Sequence, residues 1–176
     1  TPPQATSSAA SDVYKRQKLI NKFILRSFFH AIGVSLWFYS MTVITIAEVT
    51  AIGYLTPIFV CIGAIILFKE NIKGFRAFAI TLSFIGAMII LRPGFHEIKL
   101  GQYSMLLAAF VFSFSYLMVK YLAKTKSSLE IVGFLSLFTT IFLTPLALIH
   151  WVELNTDQIS IIISVSYTHL RAHETA

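Results

Sequence analysis

The sequence predicts an all-α, polytopic transmembrane helical bundle. Three observations support this class: 56% of the 176 residues are hydrophobic, only 12% are charged, and the mean hydropathy is +0.76. A soluble domain contains about 25% charged residues. The charged residues are also clustered, which leaves long uncharged stretches and excludes a soluble enzyme, a disordered tail and a nucleic-acid-binding module with a basic face. We therefore expect the chain to lie in a lipid bilayer.

Five uncharged stretches of 15 to 22 residues follow one another along the chain. Because about 20 apolar residues in a helix cross a hydrocarbon core of about 30 Å, four of these stretches are long enough to span it. The third stretch is short, and Gly74, Phe75, Arg76 and Arg92 extend it toward the two interfaces. The predicted helices cover about residues 27–47, 49–68, 75–92, 100–120 and 131–152, and another begins near residue 159.

Lysine and arginine residues are distributed unequally between the two ends of these helices. Only Arg92 and Lys99 lie on one side. Since cytoplasmic loops are enriched in lysine and arginine, residues 69–76 and 120–130 are predicted to be cytoplasmic. The net charge of +6 is then explained by topology and by contact with anionic lipids, and no nucleic-acid partner is expected. The nine basic residues of the opposite side are Lys18, Lys22, Arg26, Lys69, Lys73, Arg76, Lys120, Lys124 and Lys126.

Both ends of the chain resemble translated sequencing-library adapters. The segment SSAASDVYKRQ at residues 7–17 can be encoded by an adapter that ends in a transposase mosaic end. The segment VSYTHLRAHET at residues 165–175 can be encoded by the reverse complement of that element and the second adapter arm. Residues 1–17 and 165–176 are therefore predicted to be non-native, and residues 18–164 to be an internal fragment. The alternative is a genuine leader and a genuine tail.

Two predicted helices contain a face of small, polar and aromatic residues that suits a solute path. Trp37 and Ser40 belong to such a stripe in the first helix, and Ser113 and Tyr116 belong to one in the fourth. Aromatic rings offer flat contact area and hydroxyl groups offer hydrogen bonds, so these four residues are candidates for the lining of a cavity. The alternative is that the polar residues only bond neighbouring helices.

Three further residues have both a structural and a functional interpretation. Pro57 and Pro145 lie inside predicted helices, where a proline leaves one carbonyl without its amide partner. Each is interpreted either as a packing kink or as a hinge on a solute path. Glu48 follows Thr45 by three residues, which is the pattern of a capping box at a helix start. Carboxylates in membranes are often functional, so Glu48 is also a candidate coupling carboxylate.

The sequence contains no pattern typical of an enzyme, a metal site or a cofactor. His30, His96 and His150 lie on different predicted elements, and the single cysteine, Cys61, lies in an apolar stretch. Neither a zinc-protease motif, a nucleophile elbow nor a glycine-rich phosphate loop occurs in the sequence. We therefore predict that the protein is not an enzyme and that it uses no metal or cofactor.

Five short segments between residues 23 and 94 form a recognisable pattern: LRSFF at residues 25–29, WFYS at 37–40, IAEVTA at 46–51, LTPIF at 55–59 and LRPG at 91–94. With this pattern, residues 23–94 resemble the EamA-type repeat of the drug/metabolite transporter superfamily. Gly101-Gln102-Tyr103 and the helix that follows are similar to the start of the family's second repeat. At Lys69-Glu70 the family commonly has Gly-Glu.

The resemblance implies a transporter of ten helices in two inverted five-helix repeats. Residues 18–94 would be the last three helices of the first repeat, and residues 95–164 the start of the second. It also implies alternating-access transport of a small organic metabolite across the inner (plasma) membrane. The implied cavity adds Tyr54 and Thr56 to the lining candidates, although Tyr54 is alternatively a residue of the aromatic belt.

The expected partners are the lipid bilayer and a small-molecule solute, and a homodimer is left open. Two other interpretations of the sequence also remain open. One is a membrane scaffold or assembly subunit that packs its helices through small residues without a cavity. The other is a polytopic membrane enzyme whose catalytic residues lie outside this chain.

Overall fold

The computed structural model describes residues 5–71, 74–91 and 99–174, and these residues form seven helices and no strand. The all-α class predicted from the sequence is confirmed. Lys73, the turn at Arg92-Pro93-Gly94 and His96 lie outside the described residues. The helices are α1 (Ala5–Val43), α2 (Ile46–Gly53), α3 (Thr56–Phe68), α4 (Gly74–Leu91), α5 (Leu100–Leu122), α6 (Ser128–Ile149) and α7 (Thr156–Glu174).

Four described segments are long and apolar enough to cross a membrane. They are Arg16–Val43, Ile46–Phe68, Leu100–Leu122 and Ser128–Ile149. A shorter apolar helix, Gly74–Ile90, lies between the second and the third of them. Many large apolar side chains of these segments are exposed, for example Ile66 at 70% and Phe78 at 66%. A surface of this kind suits lipid, and together with the segment lengths it confirms a polytopic membrane bundle.

The chain divides into two compact units, one up to Leu143 and one from Thr144. In the first unit the most extensive helix interface is between α1 and α5, and α3 also packs on α5. The second unit contains the end of α6, where Pro145 lies inside the helix, and α7. The apolar core of the first unit consists of Ile44, Val49, Ile52, Leu55, Ala87, Met105 and Ala108.

The predicted helix over residues 49–68 is divided into α2 and α3. The Leu55 amide donates to the carbonyl of Ile52 at 2.9 Å, which is a tighter, 3₁₀-type hydrogen bond. Pro57 lies in the first turn of α3, where its missing N–H removes no helical hydrogen bond. The break therefore places the proline at a helix start, the position at which a helix tolerates it.

Helix α3 ends at a residue in the left-handed backbone region. Lys69 has φ 52° and is the only described residue other than glycine with a positive φ. This conformation closes many helices and favours glycine, because a Cβ atom is crowded there. The resemblance to the EamA-type repeat implies a glycine at this position, and the left-handed backbone at Lys69 gives a physical reason for that preference.

Arg26 is buried in the first unit, although the sequence placed it among the basic residues of one membrane side. Its side chain is 4% exposed, and Nη1 donates to the backbone carbonyl of Ile131 in α6 at 2.8 Å. Around it, Phe23, Leu122 and Ile131 form a second apolar cluster. This cluster joins α1, α5 and α6 at the end of α5.

Candidate solute cleft

A cleft of about 800 Å³ lies in the first unit between α3, α4 and α5. Most of its wall is apolar and includes Pro57, Ala64, Ile80 and Leu117. The polar part of the wall consists of Tyr54, Thr56, Ser83, Tyr116 and three charged residues, Glu70, Arg76 and Lys120. A mostly apolar cleft with a few convergent polar groups is the usual form of a binding site for a small organic molecule.

Three predicted lining residues, Tyr54, Thr56 and Tyr116, and the predicted hinge residue Pro57 lie on the wall of this cleft. Tyr54 and Tyr116 are 59% and 48% exposed, so both rings are accessible to a solute. Tyr54 and Pro57 lie at the break between α2 and α3, and Tyr116 lies on α5. The structure thus brings together residues from two separate sequence patterns, and their role in transport stays a prediction.

The other three predicted lining residues lie elsewhere in the first unit. Trp37 packs against the apolar core, and its ring centroid is 5.1 Å from that of Phe38. Ser40 is fully buried and donates to the Leu36 carbonyl at 2.8 Å, and Ser113 donates to the Phe110 carbonyl at 2.6 Å. Both hydroxyl groups are therefore bonded within their own helices, and the lining role of these residues is untested.

The helix break next to Pro57 supplies a backbone acceptor to the neighbouring helix. The Ile58 amide donates to the Leu55 carbonyl at 3.0 Å. The Tyr54 carbonyl, which an uninterrupted helix would pair with Ile58, accepts instead from the Ser83 hydroxyl of α4 at 3.4 Å. The carbonyl released by the break thus bonds to α4 at the cleft wall.

An ion pair lies at one end of the cleft. Lys120, near the end of α5, donates to Glu70 just beyond α3, and its ammonium group lies 4.9 Å from the Phe68 ring centroid. The hydrogen bond from Lys120, and then the charges of Lys120, Arg76 and Lys124, lower the pKa of Glu70 from its ordinary value of 4.5. The carboxylate is therefore ionised at neutral pH and links the end of α3 to α5 through an exposed ion pair.

The pKa shift of Glu70 predicts a small loss of stability in acid. Because the pKa is lower in the folded chain, the stabilising contribution is complete above 4.5 and is lost as the pH falls through the folded pKa. The Glu70→Gln chain should lack this part of the acid dependence of the thermal midpoint in detergent. Glu153→Gln, which changes an exposed glutamate outside the cleft, should keep it. Equal acid profiles for the two variants would contradict the prediction.

Glu48 caps α2 and lies near the start of α5, at the end of that helix opposite to Lys120. Its Oε2 accepts from the Thr45 amide at 3.0 Å and from the Thr45 hydroxyl at 2.8 Å, and its own amide donates to that hydroxyl at 3.3 Å. Its Oε1 accepts from Gln102 Nε2 in the first turn of α5 at 2.7 Å. Both oxygens are occupied, so the capping box read from the sequence is present and also joins α2 to α5.

Two substitutions of Glu48 distinguish a role in capping α2 from a role in coupling transport to an ion. Glu48→Ala should lower the free energy of unfolding by about 1–2 kcal/mol, because a cap and a hydrogen bond to a charged group are lost together. Glu48→Gln keeps an acceptor for Thr45 but cannot ionise. If Glu48 only caps the helix, transport by the complete protein, where present, should keep the pH dependence of the parent in Glu48→Gln. Loss of the pH dependence of transport in a stable Glu48→Gln protein would instead assign coupling to Glu48, whereas a loss equal at every pH would reflect the broken hydrogen bond to Gln102.

Arg76 and Lys120 line the cleft but are not among the site residues predicted from the sequence. Lys120 follows Ser113 and Tyr116 at helical spacing, so the stripe on α5 contained a signal for it. Arg76 had no such signal, because its place next to the cleft depends on how α4 packs. Within the described residues, no group of histidine, cysteine or acidic side chains could hold a metal ion.

Residues 8–92 match the EamA-like transporter family. A similar curated protein is a riboflavin transporter of Vibrio cholerae, which is 34% identical over 73% of this chain and 43% of that protein. Another is an S-adenosylmethionine uptake transporter of Rickettsia prowazekii, which is 22% identical over 79% of this chain and 47% of that protein. A riboflavin transporter of Brucella anthropi is 28% identical over 73% of this chain and 44% of that protein. The chain spans less than half the length of these relatives.

No solved structure matches the chain. The family match and the transporter names of the relatives support the prediction that the protein is not an enzyme. The position of the match also agrees with the resemblance seen at residues 23–94. Residues 8–92 are thus similar to the EamA-like transporter family.

Proposed function

We propose that the complete protein containing this chain transports small organic metabolites across the inner (plasma) membrane by alternating access. The observation on which this rests is the cleft of about 800 Å³, with two accessible tyrosine rings and charged groups at one end. Riboflavin and S-adenosylmethionine, named in the relatives, each combine a flat ring system with a polar chain. Solutes of this class fit an aromatic wall with a charged end.

The contacts at the two ends of α5 support alternating access. Gln102 joins the start of α5 to Glu48, and Lys120 joins its end to Glu70. In the proposed topology the first contact lies on the outer side, and the second lies on the cytoplasmic side with residues 69–76 and 120–130. Opening one contact while the other stays closed would expose the cleft to one side at a time. Residues 18–94 and 95–164 then belong to two inverted repeats.

Uptake by cells tests the proposed function. Cells that lack their own riboflavin and S-adenosylmethionine transporters would express the complete protein, and accumulation of each labelled compound would be measured. We expect saturable accumulation of one of them. A protein that is abundant in the membrane but moves neither these compounds nor related ring-containing metabolites in either direction would contradict the proposal.

Cys61 provides a direct measurement of the cleft. It lies on the cleft wall and is the single cysteine of this chain. In a complete protein whose other cysteines are replaced, a transported solute should slow the reaction of Cys61 with a membrane-impermeant maleimide. Glu153→Cys in a Cys61→Ser background is the control, since residue 153 is exposed in the segment between α6 and α7 and does not line the cleft. Equal slowing at both positions would exclude a solute site in the cleft.

A further inference from the structure

A second cavity, of about 410 Å³, lies outside the proposed solute cleft, where the end of α5 meets α1. Its wall contains three lysines, Lys18, Lys22 and Lys124, together with Leu19, Tyr121 and Thr125. None of the described residues that line it is acidic. We call this feature the basic cavity. It does not depend on the transport function proposed above.

The lysines converge because of helix spacing and a short turn. Lys18 and Lys22 are four residues apart on α1 and therefore share one face. Lys124 lies in the turn that follows α5, where the amides of Thr125 and Lys126 both donate to the Leu122 carbonyl at 3.0 Å. Leu122 is fully buried in the cluster that joins α1, α5 and α6, so the turn is anchored next to α1.

The positive charge of the basic cavity is not neutralised within the described part of the chain. The two ion pairs found there are Lys120 with Glu70 and Lys126 with Glu130, and neither includes a lysine of the cavity. Lys22 instead lies 3.6 Å from the centroid of the Tyr121 ring, which attracts a cation but does not cancel its charge. Three like charges around one cavity repel each other, and a bound anion would relieve that repulsion.

The location of the basic cavity indicates which anion it binds. It lies at the end of the membrane-spanning segment Leu100–Leu122, which is the depth of lipid headgroups. Basic pockets between helices on the cytoplasmic side are suited to anionic headgroups. We propose that Lys18, Lys22 and Lys124 bind a phosphate group at this depth and that an anionic phospholipid provides it.

Lipid titration of the purified chain in neutral detergent tests the proposal. Bound dioleoylphosphatidylglycerol and dioleoylphosphatidylcholine would be counted by native mass spectrometry. Each lysine near an anionic headgroup contributes about 1 kcal/mol to binding, and about 1.4 kcal/mol corresponds to a tenfold change in affinity. We therefore expect K22Q/K124Q to bind the anionic lipid about thirtyfold more weakly than the parent chain does. The matched control, K99Q/K126Q, removes two charges outside the cavity and should change binding less than about twofold.

Two further variants test the same proposal if K22Q/K124Q does not fold. K22R/K124R retains the charge and should bind like the parent chain, and K124Q alone, in an exposed turn, should lose about fivefold. Equal losses in K22Q/K124Q and K99Q/K126Q would overturn the proposal, as would equal binding of the two lipids. Displacement of the lipid by millimolar inorganic phosphate would show a site for soluble phosphate and would overturn the lipid assignment.

Discussion

Gly63→Ala should lower the free energy of unfolding of this chain by about 1–3 kcal/mol, the usual cost of overfilling a packed interface. A Cβ atom at Gly63 in α3 would overlap Cδ1 of Leu117 in α5. Leu117 is only 5% exposed, so its side chain cannot move away without displacing its neighbours. The approach of α3 to α5 depends on this glycine, as expected for helices that associate through small residues.

Gly86→Ala is the matched control. Gly86 lies inside α4, and a Cβ atom there would meet nothing within 4 Å. Both substitutions gain the same helix propensity, worth about 1 kcal/mol in water, so the difference between them isolates the contact with Leu117. Unfolding by sodium dodecyl sulfate in mixed micelles, followed by circular dichroism, gives both values. Equal stability of the two variants would contradict the close packing of α3 on α5.

Removing the obstructing side chain provides a second check. Leu117→Ala alone leaves space in the interface and should destabilise the chain. In the Gly63→Ala background the same change removes the clash, so the cost of the double substitution should be smaller than the sum of the two single costs. Additive costs would show that the two residues do not interact.

The helices of this protein could be predicted from the sequence, but their interruption could not. Uncharged stretches of about 20 residues indicate membrane helices because bilayer thickness fixes their length. The break at Tyr54 and Leu55 leaves the same stretch uncharged, so a count of apolar residues does not detect it. Pro57 was the local signal, and its preference for a helix start is the physical reason for the break.

The candidate cleft could be predicted in part. Ser113 and Tyr116 belong to the same predicted stripe on α5, but only Tyr116 lines the cleft. Ser113 is buried, with 3% of its surface exposed. The similar stripe on α1 is at the interface with α5, where Trp37 joins the core. Helical periodicity shows which residues share a face but does not show which neighbour covers that face. Assigning a stripe to a cavity therefore requires the packing.

Ala79→Trp in the complete protein should reduce solute uptake about tenfold to a hundredfold. Ala79 lies on α4 at the cleft wall and is exposed, so a large ring at this position occupies the space that the solute would need. Overfilling a site costs about 1–3 kcal/mol, which corresponds to that loss of uptake. Because the side chain enters an open cleft and not the core, the abundance of the protein in the membrane should not change.

Phe78→Trp is the control for this experiment. Residue 78 is adjacent in α4, is 66% exposed and does not line the cleft, so a tryptophan there should lie in lipid and leave uptake unchanged. Initial rates of uptake, divided by the amount of protein in the membrane, compare the two variants. Equal rates would place the solute path outside the cleft between α3, α4 and α5. A loss of abundance confined to Ala79→Trp would mean that residue 79 packs against another helix of the complete protein.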